Sequence, residues 1–256
     1  MRPPSAAILG QRVDAVSLDQ AVSLVVERSL AGERGSYVCL TNVHSTVESQ
    51  KDARLRAAVE GSYLSVPDGA PLVWILRRRG WKHTQKVTGI DFIPRVARAG
   101  LSQGVRHFFY GGGDGIAERA AEGLTRLVPG TVIAGAGTPP FTQGYDWDLA
   151  PLQAELERTR PHILWVGLGA PKQELWMDHA AQDLNVPISL GVGAAFDFLA
   201  GAKPAAPRWL STMGLEWLYR LASEPTRLWR RYLIGNPRFV YLLMAERFGR
   251  NPTKVD

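Results

Sequence analysis

An α/β protein built on a Rossmann-like, mostly parallel sheet is the class that this sequence predicts, and three observations predict it. Short apolar runs alternate with longer amphipathic stretches over residues 1–200, the rhythm of βα units around a parallel sheet. The residues that follow each apolar run are glycine-rich or polar, as expected where strand ends in an open α/β sheet carry a ligand. The chain of 256 residues is 45% hydrophobic and 21% charged, so it can bury a real core and is not disordered.

The elements follow in order. Residues 18–31 carry apolar side chains at helical spacing and predict a helix, and the compact apolar run 37–40 predicts a strand. A helix over 46–60 leads to a strand at 63–66, then to a helix over 71–79 that opens on Pro71. A further helix, 92–101, precedes the strand 106–110 and the amphipathic helix 116–127. Strands at 131–134, 163–166 and 188–191 complete the set, with helices over 149–158 and 174–184 between them. Around Gly201 to Pro207, two prolines mark a boundary. It divides a catalytic body, 1–200, from a helical appendage, 201–256.

Charge respects the same boundary. Residues 201–256 hold ten Lys and Arg against four acids, which is the whole net charge of +6. Aromatic residues interleave with them, among them Trp217, Tyr219, Trp229, Tyr232 and Tyr241. Such a strip suits anionic headgroups above an apolar layer. It also suits nucleic acid, or a plain helical pair with a solvated arginine face. Arg227, Arg230 and Arg231 at i, i+3 and i+4 are expected on one helix face. No apolar run reaches the ~20 residues of a transmembrane helix, and residues 1–10 hold no adequate signal-peptide core. Cys39 is the only cysteine, so no internal disulfide forms, and no Cys/His cluster has zinc spacing. These features favour a cytoplasmic protein.

Several strand ends carry candidate chemistry. Gly111-Gly112-Gly113-Asp114-Gly115 could hold phosphate on its N–H groups, or be a tight turn. It lacks the third glycine of a dinucleotide fingerprint, because position 116 is Ile116. Asp68 at a strand's carboxyl end could take a proton from a hydroxyl, or cap the next helix. Asn42 and His44 are sugar-binding groups or turn residues. Lys172 and Gln173 open a helix, where they could meet phosphate and a sugar or base. Asp146-Trp147-Asp148 matches a metal-holding Asp-x-Asp, but a helix cap at Asp148 explains it better.

Together the strings Asn42-Val43-His44, Pro67-Asp68-Gly69 with Pro71-Leu72-Val73-Trp74, Val87-Thr88-Gly89-Ile90-Asp91 and Pro139-Pro140-Phe141 resemble the WecG/TagA/CpsF family of bacterial glycosyltransferases. So do Val166-Gly167-Leu168-Gly169-Ala170-Pro171-Lys172-Gln173-Glu174, Gly191-Val192-Gly193-Ala194-Ala195-Phe196-Asp197-Phe198 and the run from Gly214 to Tyr232. The resemblance implies inverting, metal-independent transfer from a UDP-sugar to a polyprenyl-diphosphate-linked saccharide at the cytoplasmic membrane face. It implies no cofactor beyond the donor and no nucleic-acid partner, and it admits a homo-oligomer. Asp68 maps to the proposed base, with Asn42 and Thr41 beside it as catalytic residues. His44, Lys86, Gly111, Gly112, Gly113, Gly169, Lys172 and Gln173 are expected to bind substrate. Arg220, Arg227, Arg230 and Arg231 are expected to close the site or touch the membrane. Two departures stand out. Leu40 occupies a position where some members have Thr, and Lys86 replaces a frequent Arg, keeping charge without the planar fork. The Asn-Val-His form resembles an exopolysaccharide branch, which leaves the donor sugar open. The rival readings are an NAD-dependent nucleotide-sugar-modifying enzyme and a non-catalytic membrane- or nucleic-acid-binding module.

Overall fold

The structure is a computed structural model that describes residues 2–140, 142, 144–204, 206, 207, 210 and 213–247. Phe141, Ala205, Arg208, Trp209, Phe248, Arg250, Lys254 and Asp256, which the sequence reading drew on, lie outside the described residues.

Six parallel strands form the central sheet: β3 (Ser36–Thr41), β4 (Leu64–Pro67), β5 (Arg106–Gly111), β6 (Val132–Gly137), β7 (Ile163–Gly167) and β8 (Ile188–Gly191). Their spatial order is β4-β3-β8-β7-β5-β6, so the last two strands fill the middle. All six predicted strands are present. β6 runs further than expected, through Gly135-Ala136-Gly137, because Gly135 and Gly137 pair in register with Phe108 and Tyr110. The strand alternation sorts the core. Val38, Leu40, Ile163 and Trp165 face one layer, built from α1 (Leu18–Leu30), α5 (Gly89–Gly100), α6 (Ile116–Leu127) and α9 (Ala195–Leu199). Tyr37, Cys39, Leu164 and Val166 face the other, built from α3 (Ala53–Gly61), α7 (Ala150–Thr159) and α8 (Lys172–Ala180).

The expected helix over 46–60 is two helices, α2 (Val43–Glu48) and α3. Asp52 Oδ1 accepts from the Arg54 and Leu55 N–H groups and starts α3 afresh. An antiparallel hairpin, β1 (Ser5–Ile8) and β2 (Gln11–Asp14), precedes the sheet and has no counterpart in the sequence reading. Its turn needs positive φ at both central residues, and Leu9 (52°) and Gly10 (69°) supply it without the usual Asn-Gly signal.

Beyond the body come α10 (Glu216–Ser223), α11 (Pro225–Trp229), a π-helical turn (Arg230–Ile234) and α12 (Gly235–Arg247). Phe239 and Leu242 of α12 share an apolar cluster with Ile8, Leu9 and Val13 of the hairpin, Val47 of α2, and Leu72 and Leu76 of α4 (Ala70–Arg78). The appendage therefore packs on its own body. Among the described residues, no helix is long and apolar enough to cross a membrane.

Candidate active site

The carboxyl ends of all six strands open into one cleft of about 490 Å³. A second cavity of about 180 Å³ adjoins it, and Asn42, Asp68, Glu216, Arg220 and Arg231 line both. Asp68 thus stands in the wall between two compartments. It follows β4, and its own N–H donates to the Thr41 carbonyl at 2.7 Å, which fixes the backbone at the strand end. The helix-cap alternative fails here. Gly69, at φ +136°, is the residue that starts α4, with no side-chain cap bond. Burial first, then the nearby Glu216 carboxylate, pushes the Asp68 carboxyl up to about 6; Arg220, Arg231 and Lys86 oppose the rise.

Asn42 does two things at once. Its Oδ1 caps α2 by accepting from the Ser45 N–H at 3.1 Å, which leaves the amide NH₂ as the group it can offer a ligand. His44 lines only the smaller cavity, and burial, aided by Arg231, lowers its pKa and favours the neutral ring. Lys86 lines that cavity too, with Nζ 3.0 Å from Glu216 Oε2. Trp74, Trp217 and Tyr232 complete an aromatic wall there, with the Trp217 and Tyr232 rings 5.9 Å apart.

Thr41 is not positioned to touch substrate. It is 1% exposed and lines neither cavity. Ser65 Oγ donates to the Arg12 carbonyl, so the Thr41 hydroxyl is left to donate to Ser65 at 2.7 Å. The glycine run divides as well. Gly112 and Gly113 line the large cleft, but Gly111 does not, and a Cβ there would lie 2.7 Å from the Gly167 carbonyl carbon. Gly112 spends its N–H on the Gly167 carbonyl. Gly111 serves close packing of β5 on β7 and Gly112 packs on Ile116 of α6, which leaves Gly113 and its successors as the N–H donors for a ligand. Gly169, Lys172 and Gln173 all line the large cleft. Lys172 Nζ donates to the Thr142 carbonyl at 2.5 Å and lies over the Trp147 ring, so it braces the cleft's lip. Asp146 and Asp148 line neither cavity, and Asp148 accepts from the Ala150 N–H at the start of α7.

The expected arginine face divides: Arg227 and Arg231 line the large cleft and Arg230 does not. Arg231 turns inward to both cavities, whereas Arg230 stacks outward on Trp229 and lines neither. Arg227 reaches the large cleft's rim while pairing with Glu224 at 2.7 Å. Arg220 stacks on Phe198. The Nε atoms of Arg220 and Arg231 are buried without a partner among the described residues. Burial, with Arg220 and Arg227 nearby, lowers the Arg231 pKa from its very basic value. Two guanidiniums are therefore held beside a carboxylate with bonding capacity to spare, an arrangement suited to a polyanionic ligand.

Sequence reasoning missed Glu216, Trp74, Trp217 and Tyr232 as site residues. The available signal was the adjacency of tail aromatics to tail arginines, which helical spacing alone could not aim at the cleft.

Residues 6–253 match the model of the WecG/TagA/CpsF family of glycosyl transferases. An N-acetylglucosaminyldiphosphoundecaprenol N-acetyl-beta-D-mannosaminyltransferase of Bacillus spizizenii is 26% identical over 92% of this chain and 89% of its own. A protein of the same description from Bacillus subtilis is 24% identical over 83% of this chain and 80% of its own.

Proposed function

From the premise that the chain belongs to the WecG/TagA/CpsF family and is a glycosyltransferase, we propose that it moves a hexose or N-acetylhexosamine from a UDP-sugar to a polyprenyl-diphosphate-linked saccharide. The two Bacillus relatives are described as acting on a diphosphoundecaprenol-linked sugar, which supports the acceptor class. The Asn42-Val43-His44 form, which resembles an exopolysaccharide branch, keeps the donor sugar open. The product would feed a cell-surface polysaccharide.

One observation carries the mechanism: Asp68 lies in the wall shared by the two cavities. The large cleft takes the UDP-sugar, and the smaller, aromatic-walled cavity takes the acceptor sugar. Asp68 removes the proton from the acceptor hydroxyl. That oxygen forms a bond to the anomeric carbon as the bond from that carbon to the UDP oxygen breaks on the opposite face. Configuration inverts, the proton ends on Asp68, and the negative charge leaves with UDP. Arg220 and Arg231, with backbone N–H groups from Gly113 onward, stabilise that charge in place of a metal. A carboxyl held at about 6 is ionised at neutral pH yet basic enough to work. The exposed apolar and basic side chains of the appendage rest on the cytoplasmic membrane face, where the acceptor lipid lies.

The test is UDP release from a panel of UDP-sugars with a polyprenyl-diphosphate-linked saccharide, with and without EDTA. Acceptor-dependent release from one donor, unchanged by EDTA, is expected. Release that needs no acceptor, or that EDTA abolishes, would overturn the reading.

A further inference from the structure

Glu174 is a buried carboxyl that the reaction above does not use. It is 1% exposed, sits directly behind the cleft wall, and accepts from Gln173 Nε2 at 3.1 Å. Gln173 is itself only 3% exposed, and its Oε1 has no partner among the described residues. The amide lies in a slot made by two glycines at the end of β8. A Cβ on Gly191 would come 3.0 Å from Gln173 Nε2, and one on Gly193 would come 3.4 Å from its Oε1. Gln173, Gly191 and Gly193 all line the large cleft.

An ionised carboxylate only accepts hydrogen bonds, so the NH₂ end of Gln173 must face Glu174. The carbonyl end, buried and without a partner among the described residues, then lies on the Gly193 side of the amide, at the cleft wall. We propose that Glu174 is a positioning residue that fixes the Gln173 amide so that its oxygen receives a hydroxyl or acetamido N–H of the donor sugar. Strand spacing places that oxygen against the sugar rather than the nucleotide. Asp68 follows β4, and the amide lies over β8, two strands away, or roughly 10 Å. An attacking hydroxyl and one sugar ring fill that span. Burial raises the Glu174 carboxyl to about 7, with the Gln173 contact opposing the rise, so assays at pH 8 keep it ionised.

The inference rests on the donor-site reading above, and binding separates the two. Calorimetry at pH 8 measures UDP and each UDP-sugar of the panel against wild type, Glu174→Met and Glu174→Gln. Glu174→Met should weaken the best-bound UDP-sugar about tenfold and leave UDP within twofold, because one charge-assisted hydrogen-bond relay is lost. Glu174→Gln keeps the shape and an acceptor oxygen, and should stay within about threefold of wild type. Equal weakening of UDP and UDP-sugar would make Glu174 merely structural, and no weakening would remove its role. Should Glu174→Met fail to fold, donor analogues lacking one hydroxyl or the acetamido N–H carry the test on wild type. One of them should bind at least about tenfold more weakly; equal, small losses at every position, or no UDP-sugar binding more tightly than UDP, would overturn the proposal. Sugar-dependent binding without any turnover would overturn the transfer reading alone.

Discussion

In the α/β body, Trp165, Trp176, Phe92, Phe108 and Phe109 are fully buried, whereas in the appendage Trp229, Leu233, Ile234, Val240, Tyr241 and Met244 stand exposed. The body is close to neutral and the appendage carries the net positive charge. The helices of the two sheet-flanking layers each present an apolar face to the sheet; α10 buries no residue, and α12 buries only Phe239, Leu242 and Ala245. The difference teaches how the labour is divided. The body spends its apolar residues on holding six strand ends in register around a cleft. The appendage uses only a few to dock on the hairpin, α2 and α4, and leaves the rest exposed. Its inward arginines complete a site that the body leaves open on one side.

The sharpest break in that comparison is on the body's side. Asp68→Asn should lower kcat by about 10²–10⁴ while UDP binding stays unchanged, if Asp68 is the base. A near-wild-type rate would return the proton-transfer role to another group. The appendage's contribution comes next. Arg231→Met should lower kcat by about 10²–10³, with Arg231→Lys recovering part of it, as expected for a stabiliser of leaving-group charge. Steady-state kinetics at saturating donor checks both.

A pH profile sharpens the comparison without a substitution. The Asp68 pKa is raised, so the carboxyl is ionised above about 6 and protonated below it. At saturating donor, kcat should fall about tenfold per pH unit below 6 and level off above it. Moving that limb with Glu216→Gln, which removes a neighbouring negative charge, should shift it to lower pH. Outward-facing residues should act elsewhere. Arg230→Glu with Arg238→Glu should weaken sedimentation with anionic vesicles by roughly fivefold per charge removed, at ~1 kcal/mol each. Turnover on a soluble acceptor analogue should hardly change. The smallest effect should come from Glu224→Gln. It loosens the part-exposed Lys203–Glu224–Arg227 cluster and should cost about 1 kcal/mol or less by thermal melting.

Much of this was legible in the sequence for a stated reason. Strands such as Ile163–Gly167 are short apolar runs whose alternation is local, and both faces of the sheet bury them. The positions after each strand end, Asp68, Asn42, Gly169, Lys172 and Gln173 among them, follow from the topology that such strands dictate. The hairpin at the N-terminus escaped notice because its turn residues are Leu9 and Gly10. Thr41 and Gly111 looked like ligand groups because sequence position says nothing of where a hydroxyl or a missing Cβ is spent.

What the sequence by itself determined is the six strands of the sheet, the charge boundary near residue 201 and the carboxylate at the end of β4. Local periodicity and composition encode all three. The tertiary structure alone decided which cavity each residue faces, which arginine turns inward at the π-helical turn, and why the Asp68 carboxyl is pushed up to about 6. Those depend on groups far apart in the chain, such as Asp68, Glu174, Glu216 and Arg231, meeting in one partly desolvated volume. Burial and Coulomb energy are set by distance in space, and no pattern of neighbours along the chain records that distance.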